Sequence, residues 1–252
     1  MSANRENMVK VFERPRSLTG AQFTYCPGCH HGLVTRIIAQ TIDELGIQER
    51  AVLVAPVGCA VTMPEFFRCD GIQASHGRAC AVATGIKRVN PELVVFTYQG
   101  DGDLAAIGTA ESIHAANRGE NITVVFINNQ IYGMTGGQMA PTTLIGQRAT
   151  SCPEGRNAQL AGHPIRMAEM IAQLDAPVYV TRQALYDQKR IMAATRAIRK
   201  AFQCQIDGKG YSLVEILTNC PTNWRMSPVE TNARLMNEVV ATFPLGDFVD
   251  RG

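Results

Sequence analysis

The sequence predicts an α/β fold, with a mostly parallel sheet covered by helices on both faces. Short apolar runs alternate along the chain with longer amphipathic stretches, which is the pattern of β-α-β units. The apolar runs are continuous and do not alternate with polar residues, as expected for strands buried on both faces. A chain of 252 residues is within the range of a single α/β domain, so we predict one domain over 1–252.

The individual elements follow from periodicity and capping signals. Strands are predicted at 51–58, 93–98, 122–127, 178–181 and 211–217, and helices at 31–45, 79–89, 104–118, 166–174 and 187–205. A further helix is predicted to begin at Ser227, which is followed by Pro228 and by Glu230 at the capping-box spacing. The inner face of the helix at 187–205 is predicted to comprise Ile191, Met192, Ala194, Ile198 and Phe202. Residues 132–163 form a long irregular stretch, of a kind that is usually functional or disordered.

Composition excludes several classes of function. The net charge of +2 is too small to indicate binding to nucleic acid or to an anionic membrane. The sequence contains no run of about 18 apolar residues, so no membrane span is expected. Residues 1–7 are polar and lack the apolar core of a secretory signal, which favours a cytoplasmic location.

Polar residues follow two of the predicted strands. Gly-Asp-Gly-Asp at 100–103 comes after the strand at 93–98, and Asn128 and Asn129 come at the end of the next strand. Carboxyl ends of parallel strands meet at one edge of a sheet, where α/β proteins bind ligands. Asp101, Asn129 and the carbonyl of Ile131 would suit Mg²⁺. Gly-Asp-Gly alone is equally typical of a turn, and the asparagine pair is what favours a magnesium-diphosphate site.

Four cysteines are placed so that they could converge. Cys26 and Cys29 form a Cys-x-x-Cys turn before the first helix, and Cys59 and Cys220 each follow a predicted strand. Four thiolates suit zinc or a [4Fe–4S] cluster alike, and the first pair alone could be half a zinc site or a redox dithiol. The other cysteines are predicted to be ordinary core or surface thiols: Cys69, Cys80, Cys152 and Cys204.

Together these motifs resemble a known family. Gly-Asp-Gly followed by Asn-Asn resembles the thiamine diphosphate signature. With Cys-Pro-Gly-Cys at 26–29, Val-Gly-Cys at 57–59, Tyr-Gly-Met-Thr-Gly-Gly-Gln at 132–138 and Cys-Pro-Thr at 220–222, the chain resembles the β subunit of 2-oxoacid:ferredoxin oxidoreductases. The resemblance implies one thiamine diphosphate-binding domain with an N-terminal Cys-x-x-Cys segment. One departure is His30, which stands where the usual motif has glycine.

The resemblance also implies roles for individual residues. Cys26, Cys29, Cys59 and Cys220 would hold a [4Fe–4S] cluster beside thiamine diphosphate and Mg²⁺. The N–H groups of Gly102 and Asp103 would meet phosphate oxygens, with help from a helix dipole. The full set of expected cofactor contacts is His31, Val57, Gly58, Cys59, Ala60, Gly100, Gly102, Asp103, Gly133 and Met134. His76 or Arg78 could face the cofactor or the substrate carboxylate, and a helix cap with a surface arginine explains them equally well.

The implied reaction is the oxidative decarboxylation of a 2-oxoacid with coenzyme A, giving acyl-CoA, CO₂ and reduced ferredoxin. The resemblance implies an α subunit that completes the active site, together with γ and ferredoxin-like δ subunits. The loop at 134–143 favours 2-oxoglutarate or a branched-chain 2-oxoacid such as 2-oxoisovalerate. Two alternatives stay open: a non-catalytic, zinc-stabilised scaffold, and a non-redox thiamine diphosphate decarboxylase or synthase.

Overall fold

A computed structural model describes residues 12–252; the predictions made for 1–7 and for the first part of the domain lie outside this range. Seven strands form one sheet in the order β2-β1-β3-β4-β6-β5-β7. All pairings are parallel except that of β7, which runs antiparallel to β5. The strands are β1 Ala51–Ala55, β2 Asp70–Gln73, β3 Val94–Gly100, β4 Thr123–Asn128, β5 Tyr179–Ala184, β6 Ser212–Leu217 and β7 Gly246–Asp250.

The two strands at the sheet edges were not predicted from sequence. All four residues of β2 are exposed, and β7 contains Gly246, Asp247 and Asp250. Neither segment carries the apolar run that identifies a buried strand, because an edge strand is paired on one side only and can stay polar. The predicted parallel sheet is otherwise confirmed.

The helices match the predicted pattern closely, with short irregular additions. One π-helical turn, Asp103–Ile107, precedes α3, and another, Leu235–Val239, precedes α9; 3₁₀ turns cover Gln48–Arg50 and Met63–Phe66. The described part of the chain contains no helix that is long and apolar enough to cross a membrane. The α-helices are α1 His31–Leu45, α2 Ala79–Val89, α3 Thr109–Asn117, α4 Ala158–Ala161, α5 Met167–Ala172, α6 Gln188–Ile206, α7 Pro221–Trp224, α8 Pro228–Arg234 and α9 Val240–Thr242.

Consecutive strand residues point into two different cores. Helices α1 and α6 cover one face of the sheet, where they bury Leu53, Phe96 and Val214. Helices α2, α3 and α5 cover the other face, over neighbours such as Val95 and Leu213. Burial on both faces explains why these strands read as uninterrupted apolar runs.

Two local predictions have clear outcomes. The capping box at Ser227 is present, with reciprocal hydrogen bonds between Ser227 and Glu230. The predicted inner face of α6 is wrong at Met192, whose side chain is 52% exposed. Ala194 and Ile198 define the buried stripe of this helix, and Met192 lies outside it because helical residues two apart do not share a face.

The sheet order brings the predicted site residues together. Strands β1, β3, β4 and β6 are consecutive neighbours in the sheet. Their carboxyl ends lead directly into Cys59, Asp101, Asn129 and Cys220, respectively. A single edge of the sheet therefore carries both the predicted metal-diphosphate residues and two of the predicted cluster ligands.

Away from this edge, the ion pairs of Glu120 predict how the stability of the protein depends on pH. Its buried carboxylate pairs with Arg88 at 2.6 Å and Arg118 at 2.7 Å. Burial raises the pKa of this carboxyl, but hydrogen bonds from the two arginines outweigh that effect and leave the pKa below its ordinary value. Because the folded-state pKa is depressed, the stabilisation is fully present above the unfolded pKa of about 4.3 and is lost as pH falls through the folded value.

We therefore expect Glu120→Gln to lower the free energy of unfolding by about 1 kcal/mol at pH 7, since both arginines are largely exposed and screened. The difference from the unmodified protein should shrink as pH falls below about 4.3. Urea unfolding at a series of pH values measures it. A difference that stays constant at every pH would contradict the ion-pair explanation.

Candidate functional site

A cavity lies at the carboxyl edge of the sheet, between the segments that follow β1, β3 and β4. Its lining includes every residue predicted to contact the cofactor, the three predicted Mg²⁺ ligands and His76; their roles stay predictions. Tyr132 and Thr135 also line it and were not singled out from sequence. The complete lining is His31, Val57, Gly58, Cys59, Ala60, His76, Gly100, Asp101, Gly102, Asp103, Asn129, Ile131, Tyr132, Gly133, Met134 and Thr135.

Asp101 is a buried carboxylate at the floor of this cavity, with 2% of the residue exposed. It accepts hydrogen bonds from the Thr142 hydroxyl at 2.6 Å and from the Gly102 N–H at 2.9 Å. Burial raises its pKa to about 7, although the hydrogen bonds oppose that shift. A cation bound here would favour the charged form of the carboxylate. Thr142, which lies in the long loop, is thus a site residue that the strand motifs do not reveal.

The turn after β4 is held in an unusual backbone conformation. Gln130 has φ 59°, a left-handed value that non-glycine residues rarely adopt. Its carbonyl accepts hydrogen bonds from Thr143 at 2.6 Å and Gln147 at 3.0 Å, and its side chain donates to the Asn128 carbonyl at 2.7 Å. These contacts fix the direction of the neighbouring predicted ligands, Asn129 and Ile131.

Behind this turn lies a buried ionic network. Asn128 donates to Glu215 at 2.7 Å, and Glu215 accepts from Arg182 at 2.9 Å. Arg182 is fully buried and also pairs with Glu169 through both of its terminal nitrogens. The first asparagine of the motif, Asn128, therefore belongs to the buried ionic network, whereas the second, Asn129, lines the cavity.

The carboxylate of Asp103 holds two neighbouring segments of the chain in place. Its carboxylate accepts from His76 Nδ1 at 2.5 Å, from the Gly77 N–H at 2.6 Å and from Gln99 Nε2 at 2.7 Å. It thereby orients the His76 ring, which lines the cavity. Arg78, the other residue predicted at this position, pairs with Glu111 at 2.8 Å and lies outside the described lining; its role stays a prediction.

His31 enters the cavity wall as a neutral ring. Its Nδ1 is 2.7 Å from the Tyr98 hydroxyl, and the ring stacks on Tyr25 with centroids 5.2 Å apart. Burial lowers the pKa of His31 to about 4. At neutral pH it can therefore contact a ligand as a hydrogen-bonding group without adding charge.

Two of the four predicted cluster cysteines, Cys59 and Cys220, lie beside the same cavity. A Cβ placed on Gly133 would lie 3.4 Å from the Cys59 sulfur and 3.6 Å from the Cys220 sulfur, so both thiols border the loop at Gly133. Burial raises the pKa of Cys29 to about 12, and electrostatic interaction with Cys220, Cys59 and Cys26 adds to the rise. Within residues 12–252, no group of three or more His, Cys, Asp or Glu side chains is already arranged around one metal-ion position.

Asn219 connects the Cys-x-x-Cys turn to the segment that contains Cys220. Its side chain accepts from the His30 N–H at 3.0 Å and donates to the Gly28 carbonyl at 3.1 Å. The Cys-x-x-Cys turn is thereby fixed against the residue preceding Cys220. His30 itself is buried, with 8% exposed, and packs at the start of α1 in place of the usual glycine.

Gly102 provides a direct test of the cavity geometry. A Cβ at this position would lie 2.0 Å from the Tyr132 ring, although Gly102 has an ordinary helical φ of −65°. We expect Gly102→Ala to displace Tyr132 and to lower the free energy of unfolding by about 1–3 kcal/mol through overpacking.

Gly85→Ala is the matched control for that change. Gly85 lies within α2 and has no atom within 4 Å of its added Cβ, so this substitution should raise stability by about 0.5–1 kcal/mol. Both variants are compared by thermal and urea unfolding. Equal effects of the two substitutions would contradict the close approach of Tyr132 to Gly102.

Comparison with known proteins agrees with this architecture. Residues 56–216 match the family model described as "Thiamine pyrophosphate enzyme, C-terminal TPP binding domain". The structure is similar to a 2-oxoglutarate:ferredoxin oxidoreductase from Magnetococcus marinus, solved with 2-oxoglutarate, coenzyme A and succinyl-CoA bound. That likeness has a TM-score of 0.78 and 24% identity, and it covers 98% of this chain and 87% of the other. The fold and the matched domain define a thiamine pyrophosphate-binding chain.

Sequence relatives specify the family. The chain is 50% identical over 246 residues to ketoisovalerate oxidoreductase subunit VorA of Methanothermobacter thermautotrophicus. The matched region covers 98% of this chain and 52% of the relative. It is 37% identical over 199 residues to 2-oxoglutarate synthase subunit KorB of Methanocaldococcus jannaschii, covering 79% of this chain and 69% of the relative. The chain belongs to the β subunits of the 2-oxoacid:ferredoxin oxidoreductases. It spans about half the length of the VorA subunits that it matches.

Proposed function

We propose that this chain carries thiamine diphosphate, Mg²⁺ and one [4Fe–4S] cluster in an enzyme that oxidises a 2-oxoacid with coenzyme A and reduces ferredoxin. The observation that carries the proposal is the position of Cys59. It lines the cofactor cavity, and its sulfur also lies with that of Cys220 beside Gly133. A cofactor and a cluster held by these residues would be direct neighbours.

The residues present fit both groups. Asp101 and Asn129 offer the hard oxygen ligands that Mg²⁺ prefers, and the Ile131 carbonyl lies in the same cavity wall. Cys59 and Cys220 lie together beside Gly133, and with Cys26 and Cys29 they would supply the four thiolates that an iron–sulfur cluster takes. When bound, thiamine diphosphate supplies the carbon nucleophile for cleavage of 2-oxoacids, and the cluster supplies an exit for single electrons. The protein's part is to hold the diphosphate at 100–103 and 129–134 and to exclude water.

For the substrate, we propose a branched-chain 2-oxoacid of the 2-oxoisovalerate type, with 2-oxoglutarate as the competing candidate. The relative that is 50% identical to this chain is named a ketoisovalerate oxidoreductase subunit, and relatives near 37% identity are named 2-oxoglutarate synthase subunits. We further propose that an α subunit completes the active site and that γ and ferredoxin-like δ subunits pass electrons to ferredoxin. A panel of 2-oxoacids assayed with the purified complex, coenzyme A and a viologen dye tests the substrate.

The iron, zinc, sulfide and thiamine contents of the complex, purified without oxygen, test the remaining alternatives. Iron, sulfide and thiamine together support the oxidoreductase. Zinc without iron would support the non-catalytic scaffold, and thiamine without iron would support a non-redox decarboxylase or synthase. Either of these last two results would overturn the proposal.

A cysteine substitution sharpens this test. Cys220→Ala removes a proposed ligand, so we expect the complex to lose the iron and sulfide of one cluster, about four atoms of each, because a [4Fe–4S] cluster is held by four thiolates. Cys204→Ala is the matched control, since Cys204 is equally buried but lies in α6. Its iron content should equal that of the unmodified protein. Equal iron in both variants would contradict the assignment of Cys220.

A further inference from the structure

We infer that Asn223 is a positioning residue that links the cluster ligand Cys220 to the diphosphate loop at Gly133. Its side-chain nitrogen lies 3.3 Å from the Cys220 sulfur and 2.9 Å from the Gly133 carbonyl oxygen, to which it donates. One carboxamide therefore contacts both halves of the site. The inference rests on the proposed function and names a residue that no motif identified.

The local fold explains how Asn223 reaches both groups. Helix α7 begins directly after Cys220 with Pro221, and the Trp224 N–H closes its turn on the Cys220 carbonyl at 2.9 Å. Residues three apart in a helical turn lie on the same side, which places the Asn223 amide beside the thiol. The Trp224 indole donates to the Asn129 carbonyl at 3.2 Å and ties the same turn to the predicted metal ligand.

The other end of the Asn223 side chain is also confined. A Cβ on Gly137 would lie 2.8 Å from the Asn223 side-chain oxygen, so the loop approaches that oxygen closely. With its oxygen packed there, the amide presents its two N–H groups to the sulfur and to the carbonyl. The rotamer is thus set by contacts on three sides: the thiol, the cofactor loop and Gly137.

This arrangement has a chemical consequence for the cluster. Hydrogen bonds to cluster sulfurs are among the factors that set the reduction potential, because they stabilise the additional negative charge of the reduced state. The Asn223 N–H is directed at a ligand sulfur, so it should make the cluster easier to reduce. The second N–H holds the Gly133 carbonyl, so the same residue should strengthen thiamine diphosphate binding.

The test uses Asn223→Leu, which keeps a branched side chain of similar shape but has no donor. In the anaerobically purified complex, an EPR-monitored redox titration should show a more negative midpoint potential. Thiamine diphosphate should bind about two- to tenfold more weakly, the usual effect of one hydrogen bond. Asn157→Asp is the control, because Asn157 caps α4 through its oxygen and aspartate can do the same. An unchanged potential in Asn223→Leu would overturn the inference.

A measurement on the unmodified complex decides the question even if the variant does not fold. With asparagine labelled by ¹⁵N in the side-chain amide, pulsed EPR of the reduced cluster should detect ¹⁵N coupling to it. Absence of that coupling, in a complex that contains iron and sulfide, overturns the role of Asn223 and leaves the proposed function standing. A complex without iron overturns both.

Discussion

Asp101→Asn is expected to abolish 2-oxoacid oxidation and to weaken thiamine diphosphate binding by more than about 100-fold. Loss of an outer partner of a metal ligand typically costs 10- to 100-fold, and Asp101 is proposed as the ligand itself. The amide keeps the size of the carboxylate but lacks its charge. It would also present N–H donors where Asp101 now accepts from Thr142 and Gly102. Isothermal titration with thiamine diphosphate and Mg²⁺, together with steady-state kinetics, measures the effect.

Two controls make the Asp101 result specific. Asp250→Asn makes the same chemical change at an exposed ion pair with Lys200, and it should leave cofactor binding unchanged. Thr142→Val removes one hydrogen bond from Asp101 and should weaken cofactor binding less than Asp101→Asn does. Tight thiamine diphosphate binding by Asp101→Asn would show that the diphosphate and its metal are held elsewhere.

Arg182→Met is expected to lower the free energy of unfolding by about 3–5 kcal/mol, the largest stability change among these predictions. The Arg182 side chain is fully buried, as is that of Glu215, and Arg182 also lies over the rings of Phe243 and Phe248. Methionine fills similar space but leaves the Glu215 carboxylate unpaired in the interior. Burial raises the pKa of Glu215 even with Arg182 present, so Glu215 should take up a proton in the variant.

A double-mutant cycle isolates this effect. Glu215→Gln combined with Arg182→Met should be more stable than Arg182→Met alone, because the neutral amide needs neither a charged partner nor an added proton. Arg199→Met is the surface control, since Arg199 is more than half exposed and 3.8 Å from Glu44. It should change stability by less than about 0.5 kcal/mol. Additive effects of the two buried substitutions would contradict a coupled pair.

The sequence was sufficient for the five inner strands and for most of the residues that line the cavity, for a physical reason. Buried parallel strands require uninterrupted apolar runs, and polar residues such as Asp101 and Asn129 at their ends stand out against them. The strand order itself was not predicted, because pairing between distant segments leaves no local pattern in the chain. Helix periodicity located α6, although it misplaced Met192.

Two side chains act through contacts that are distant in sequence. Thr142 reaches Asp101 across 41 positions, and Arg182 reaches Glu215 across 33. Neither lies in a motif or at a characteristic spacing, so only the folded structure brings these pairs together. Asn223 was hidden for another reason: it follows a recognised Cys-Pro-Thr motif at 220–222, but its significance lies in two hydrogen bonds that the motif does not specify.

The burial of these thiols also affects their reactivity when no cluster is bound. Burial raises the pKa of Cys29 to about 12 and that of Cys59 to about 11. At neutral pH these sulfurs therefore stay protonated, and a thiol reacts with oxidants and disulfides far more slowly than a thiolate. We therefore expect slow oxidation at these two positions as long as no cluster is bound. Binding of the proposed cluster would release protons from these thiols, so its assembly is expected to be faster in mildly alkaline conditions.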